Sequence, residues 1–211
     1  DKKALYGKIY GVIRIPVGTL RYGPSYASEQ ATQLLMGTPV RILKKEGWYL
    51  VQTPEDYVSW VSSSSVEPMT RQQFNEYLSH KKLIFLSDEG WIYEKPDASS
   101  ARIASVVVGA LLLDKGSKGK YAHVELPEGR KGYVLKKDVT DFDQWRKETR
   151  PTAENVLKNA YRFMGTPYLW AGTSADMLDC SGFTKTVYMI NGVVLARDAS
   201  QQYLTGQSVD I

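Results

Sequence analysis

The chain has 211 residues, is 43% hydrophobic and 24% charged and carries a net charge of +4, the profile of an ordinary globular chain long enough for more than one core. No apolar run approaches the roughly 18 residues that a membrane span needs, and a lone cysteine, Cys180, excludes an internal disulfide. The positive charge is dispersed. Its densest stretch, between Lys115 and Lys137, reads as a solvated face, and nothing in it has the motifs of a nucleic-acid-binding stripe, so no nucleic-acid partner is expected. The start, Asp1-Lys2-Lys3, has no signal-peptide apolar region, which reads as a cytosolic or an already processed chain. No metal or cofactor is expected.

Residues 1 to about 140 contain a weak repeat. Pro24, Gly37, Val51, Pro54, Trp60 and Val61 align with Pro96, Gly109, Val124, Pro127, Tyr133 and Val134, at an offset of 72 residues that becomes 73 after one insertion. Each copy has short alternating segments, such as Trp48-Tyr-Leu-Val-Gln and Tyr57-Val-Ser-Trp-Val, bounded by Gly, Pro and Asp turns. That pattern predicts two small all-β units. Between them, Thr70 and Gln73 form a capping box, Met69 and Phe74 a hydrophobic staple, and Phe74, Tyr77 and Leu78 one apolar face. The expected order is a β-unit at 1–69, a linker helix at 70–80, a second β-unit at 81–142 and an α+β region at 143–211.

The last region opens with a helix capped by Thr152, with Val156, Leu157, Ala160, Tyr161 and Met164 at helical spacing up to Gly165. A second helix is predicted from Cys180 to Asn191, with Phe183, Val187 and Ile190 on its apolar face and Asn191-Gly192 as its stop. Asp179 stands at its N-cap. Cys180 therefore falls in the first turn, where unpaired N–H groups and the helix dipole stabilise an anion. A thiolate is the nucleophilic form of cysteine, so the position suits covalent catalysis. A lone cysteine is also a common small core residue, but Asp179, Ser181 and Gly182 are poor company for a core position.

Pro167-Tyr-Leu-Trp-Ala-Gly, then Asp179-Cys-Ser-Gly-Phe opening a helix, then Arg197-Asp-Ala-Ser-Gln-Gln together resemble the NlpC/P60 family of cysteine peptidases. Arg21-Tyr-Gly-Pro-Ser, Ser28-Glu-Gln-Ala-Thr-Gln and Tyr57-Val-Ser-Trp-Val resemble the bacterial SH3 (SH3b) domains that precede such peptidases. The second copy keeps the skeleton with Tyr121 and Tyr133 in place of tryptophans. The resemblance implies an α+β chain: two SH3-like β-barrels followed by the N-terminal part of a papain-like domain.

It also implies a substrate, the peptidoglycan stem peptide L-Ala-γ-D-Glu-diamino acid, cut at the γ-D-Glu amide. Cys180 would be the nucleophile, and its backbone N–H and the Tyr168 hydroxyl would face the oxyanion. Trp170, Asp179, Ser181, Asp198 and Ala199 match positions lining the γ-D-Glu pocket, Ala199 standing where serine is expected. Glu29 and Tyr57, on the first SH3b domain, match residues that bind the free N-terminal amine. The family places its catalytic histidine downstream of the cysteine, whereas His80 and His123 are both upstream. The sequence therefore reads as a fragment, inactive alone, that a missing C-terminal segment or a complementing chain would complete, and whose Cys180 helix would otherwise expose its apolar face. The rival readings are a non-catalytic peptidoglycan-binding SH3b module with a peptidase remnant, and an acyltransferase. The expected location is the periplasm or cell envelope, with the cytoplasm as alternative. Preference for diaminopimelate or lysine, the role of the second SH3b domain and the oligomeric state are not legible.

Overall fold

The computed structural model describes residues 5–207. The first β-unit holds strands β1 (Tyr10–Ile13), β2 (Val17–Arg21), β3 (Gln30–Leu35), β4 (Pro39–Glu46), β5 (Trp48–Gln52), β6 (Val58–Ser62) and β7 (Val66–Met69), in the antiparallel order β3-β2-β6-β5-β4-β1-β7. The second holds β8 (Lys82–Phe85), β9 (Glu89–Tyr93), β10 (Arg102–Val107), β11 (Leu111–Lys118), β12 (Tyr121–Glu125), β13 (Lys131–Leu135) and β14 (Val139–Asp141). Its order, β10-β9-β13-β12-β11-β8-β14, is that of the first sheet with every strand moved on by seven. The weak sequence repeat is thus a structural duplication. Even the 3-10 turn before the last strand recurs, Ser63–Ser65 in one copy and Lys136–Asp138 in the other.

Strands β2, β5, β6 and β13 bury alternate residues, as the two-residue side-chain period requires, whereas β3 and β8 are buried along nearly their whole length. Leu20, Val40, Tyr49, Val51 and Val61 meet in the first core, and Phe85, Ile92, Leu112, Val124 and Val134 in the second. The barrels expected from the resemblance are not shown as closed. Among the described residues β3 pairs only with β2 and β7 only with β1, and the second copy repeats this, so each is a seven-stranded sheet folded over its own core.

Helix α1 (Arg71–Ser79) carries the capping box of Thr70 and Gln73. Phe74 stacks on Tyr10 at 4.6 Å between ring centres, and the Tyr77 hydroxyl donates to the Gly37 carbonyl at 3.0 Å. Leu78, expected on the same docked face, is 48% exposed: it lies a further 100° round the helix from the buried Tyr77. The buried Lys82 ammonium donates to the carbonyls of Tyr77, Leu78 and His80 and so satisfies the end of this helix.

The modules are joined by equivalent turns. Gly37 (φ 86°) lies against the second sheet, where an added Cβ would stand 2.2 Å from the Leu111 carbonyl oxygen. The equivalent Gly109 (φ 90°) lies against Met189 of the last region, 2.5 Å from its methyl by the same measure. That region contains α2 (Phe142–Glu148), α3 (Ala153–Arg162), a hairpin of β15 (Thr173–Ser174) and β16 (Met177–Leu178), α4 (Cys180–Ile190) and α5 (Ala199–Tyr203). The apolar face of α4 is not exposed, contrary to the expectation: Val187 and Ile190 are buried with Phe163 and with Val108 of the second sheet. The exposed apolar stripe is on α3 instead. Val156 and Ala160 pack inward, whereas Leu157, Tyr161 and Met164 face solvent, because one helix cannot cover both halves of so wide an apolar face.

Candidate active site

Cys180 is the first residue of α4 and is exposed. The loop before it crosses back under the helix start. Ala171 adopts a left-handed backbone (φ 63°), an uncommon conformation for a residue with a Cβ, and is held there from the helix side. Its N–H donates to Asp179 Oδ2 at 3.0 Å, and the Asp179 N–H donates to the Gly172 carbonyl at 3.1 Å. The other carboxylate oxygen, Oδ1, caps α4 by accepting from the Gly182 N–H at 2.6 Å. The glycine of Asp-Cys-Ser-Gly has a steric cause: a Cβ on Gly182 would lie 1.9 Å from the Gly172 carbonyl oxygen. Cys180 is thus carried outward on a turn whose inner side is locked backbone to backbone.

Asp179 and Ser181 are both buried, and both side chains are held by Arg197, only 2% exposed. Its Nη2 donates to Asp179 Oδ2 at 2.7 Å, its Nη1 to Ser181 Oγ at 2.8 Å and its Nε to Thr32 Oγ1 of β3 at 3.0 Å. Gln202 adds a bond from Nε2 to the Ser181 carbonyl at 3.0 Å. Asp198, next to Arg197, is the N-cap of the short helix α5, and its N–H donates to Gln201 Oε1 at 3.2 Å; Ala199 is that helix's first residue.

The first sheet reaches this surface from a distant part of the chain. Trp170 Nε1 donates to Glu29 Oε1 at 3.0 Å, both groups exposed. Gln33 Oε1 accepts from the Thr173 N–H at 2.9 Å, and the Thr173 hydroxyl donates to the Gln33 carbonyl at 2.8 Å. The Tyr57 hydroxyl lies 3.1 Å from that of Tyr22. Burial, that hydrogen bond and the negative charge of Asp198 hold the Tyr57 hydroxyl above the usual phenol range, so it remains a proton donor at neutral pH. Lys185 of α4 forms a largely buried ion pair with Glu55, Nζ to Oε1 2.7 Å, in the β5–β6 turn.

Of the residues singled out from sequence, Glu29 and Trp170 therefore touch, Tyr57 lies within the field of Asp198 and Arg197, and Tyr168 is exposed on the loop before β15. Asp179 and Ser181 turn their side chains into the protein. The two histidines are engaged elsewhere, His80 Nδ1 with the Glu76 carbonyl at 2.7 Å and His123 stacked on Tyr133 at 4.9 Å. A cavity of about 570 Å³ lies behind α4, lined by Lys185, Thr186, Met189, Leu35, Leu111 and Trp145 among others, but Cys180 is not in its wall. Arg197's contacts, Thr32, Gln33 and Tyr22 were not anticipated. The only trace in the sequence is that Arg197, Thr32, Gln33 and Tyr22 all lie inside segments already quoted for their resemblance.

Residues 20–66 match the model of the bacterial dipeptidyl-peptidase SH3 domain, and residues 165–211 that of the NlpC/P60 family. The chain is 29% identical over 193 residues to a gamma-D-glutamyl-L-lysine dipeptidyl-peptidase of Bacillus cereus, covering 87% of this chain and 57% of that protein. It is 26% identical over 186 residues to dipeptidyl-peptidase 6 of Lysinibacillus sphaericus, covering 83% and 67%. The chain thus spans between 57% and 67% of the length of these relatives. The crystal structure of an NlpC/P60 family protein from Bacillus cereus has the same fold, with a TM-score of 0.80 at 24% identity, over 95% of this chain and 78% of that one. An SH3 match thus precedes the Cys180 loop and an NlpC/P60 match runs across it: the first sheet is similar to the bacterial dipeptidyl-peptidase SH3 domain and the last region to the NlpC/P60 family.

Proposed function

We propose that this chain forms the peptide-recognising and nucleophile-bearing part of a cysteine peptidase of peptidoglycan. Its substrate is L-Ala-γ-D-Glu-diamino acid with a free amine, and the bond cut is the γ-D-Glu amide. The observation that carries this reading is the Glu29–Trp170 contact, which sets a carboxylate of the first sheet on the loop that leads to an exposed, helix-N-terminal cysteine. The relatives' names, gamma-D-glutamyl-L-lysine dipeptidyl-peptidase and dipeptidyl-peptidase, support the same substrate class.

In this reading the Cys180 thiolate adds to the γ-carbonyl carbon. The C–S bond forms and the carbonyl π electrons move to oxygen, which the Cys180 N–H and the Tyr168 hydroxyl receive; such preorganised donors supply much of the rate in acyl transfer. Collapse breaks the C–N bond, the diamino acid leaves as amine, and water then hydrolyses the thioester. His80 and His123 are engaged away from Cys180, so the leaving amine takes its proton from a group outside this set of residues. Glu29, with the Tyr22–Tyr57 hydroxyl pair, receives the L-Ala ammonium. The bacterial envelope is the compartment that such a substrate suggests.

The test is hydrolysis of L-Ala-γ-D-Glu-L-Lys by the whole protein, with L-Ala-γ-D-Glu identified by mass spectrometry. Cleavage is expected, with loss in Cys180→Ala. A wild-type protein that binds the peptide without cutting it, and whose Cys180 resists iodoacetamide, would instead be a binding module.

A further inference from the structure

We infer that Arg197 is a positioning residue, through which the first sheet sets the geometry of the cysteine turn; the catalytic part of this inference rests on the reading above. One guanidinium holds both sequence neighbours of Cys180, Asp179 by its carboxylate and Ser181 by its hydroxyl, and spends its remaining N–H on Thr32 of β3. Asp179 in turn caps α4 and fixes the left-handed Ala171. The bonds therefore form a chain from the first sheet to the nucleophile: Thr32, Arg197, Asp179, then the Ala171–Gly172 crossing and the first turn of α4.

Arg197 is buried and its hydrogen bonds go to Asp179, Ser181 and Thr32, so it acts through these residues and not on substrate. Its effect is to hold the buried Asp179 carboxylate aimed at two backbone N–H groups, those of Ala171 and Gly182. Without the guanidinium that carboxylate is a buried group without its counter-ion, which is costly enough to drive it out of its place. That movement releases the cap, and Cys180 loses its fixed place in the first turn of α4. Lysine is not an equivalent, since a single ammonium cannot span Asp179, Ser181 and Thr32 in three directions.

Three variants test this: Arg197→Met, Arg197→Lys and Thr32→Val. The first readout is the rate of Cys180 alkylation by iodoacetamide in the folded chain, relative to the same chain in denaturant, with thermal unfolding recorded in parallel. The second is kcat and KM of the whole protein on L-Ala-γ-D-Glu-L-Lys. Thr32→Val removes one charge-assisted hydrogen bond and leaves a similar volume, so it should fold. It is expected to slow alkylation and lower kcat by about tenfold, with KM within about twofold. Arg197→Met should bring alkylation close to the denatured rate, and Arg197→Lys should recover only part of it. A folded Thr32→Val protein with wild-type alkylation and kcat would overturn the inference, whether or not Arg197→Met folds. Alkylation needs no substrate, so a protein that never cuts the peptide would sink the peptidase reading and leave this one standing or falling on alkylation alone.

Discussion

The two sheets have one topology and different employment. In the first, the β5–β6 turn sends Glu55 to Lys185 of α4 and sets Tyr57 within the field of Asp198. In the second, the equivalent Glu128 and Arg130 pair with each other inside the turn, and Arg130 Nη1 closes on the Ile103 carbonyl at 2.9 Å. Glu29 of the first copy has Ala101 as its counterpart. The second copy offers its backbone and apolar side instead: Val108 and Gly109 lie against α3 and α4, and Arg162 of α3 reaches Asp88 and the Leu86 carbonyl. A duplicated fold has thus been divided into a copy that supplies polar groups and a copy that supports. Topology fixed neither role. The side chains in one turn and one loop did.

The largest effect should come from the turn. Glu55→Gln leaves Lys185 as a largely buried unpaired cation, at a cost of about 3–5 kcal/mol in urea unfolding. Glu128→Gln, whose arginine partner is half exposed, should cost ~1 kcal/mol or less. Equal losses would mean that the two turns are not differently used. Next is Glu29→Gln. Losing the charge partner of a desolvated ammonium costs ~2–5 kcal/mol, so kcat/KM on the free peptide should fall roughly 30- to 5000-fold. The N-acetylated peptide, which wild type should cut poorly, should be affected far less. If wild type cleaves both peptides equally well, the first sheet has no share in recognition.

The glycine turns separate backbone docking from side-chain docking. Gly109→Ala meets the strain of a left-handed residue, ~1–2 kcal/mol, and the end of a flexible methionine, which can move. Gly37→Ala meets a backbone carbonyl that cannot, and should lower the unfolding temperature further. The smallest effect is expected from Ala101→Glu, which restores the carboxylate to the second copy. On an exposed loop it should change stability by no more than ~0.5 kcal/mol and leave peptide cleavage unchanged.

What could be read in advance was local. The Asp179 cap, the first-turn position of Cys180 and the Thr70–Gln73 box each depend on spacings of three or four residues, and the structure shows all three. The duplication was legible because turn-forming Gly and Pro recur at a nearly constant offset. Long-range pairs leave no such mark. Sequence sets Asp198 beside Arg197, but adjacent side chains on an extended segment point apart, and the arginine's partner is Asp179. Periodicity likewise gave α3 an apolar face without showing which half is covered, and it did not reveal that Met36 of the first copy packs into the second core.

The bonds that shape the cysteine turn also impose a schedule. Thr32 meets Arg197 across 165 positions, Glu29 meets Trp170 across 141 and Gln33 meets Thr173 across 140. A chain leaves the ribosome from its N-terminus, and early domains fold while later ones are still being made. The first sheet is therefore complete when the thiol emerges, and it serves as the surface on which the last turn is set. Until Arg197 follows, the capping Asp179 carboxylate lacks the guanidinium that ties it to the first sheet. The order of synthesis thus follows the order of the contacts, with the first sheet made before the turn that Arg197 fixes to it.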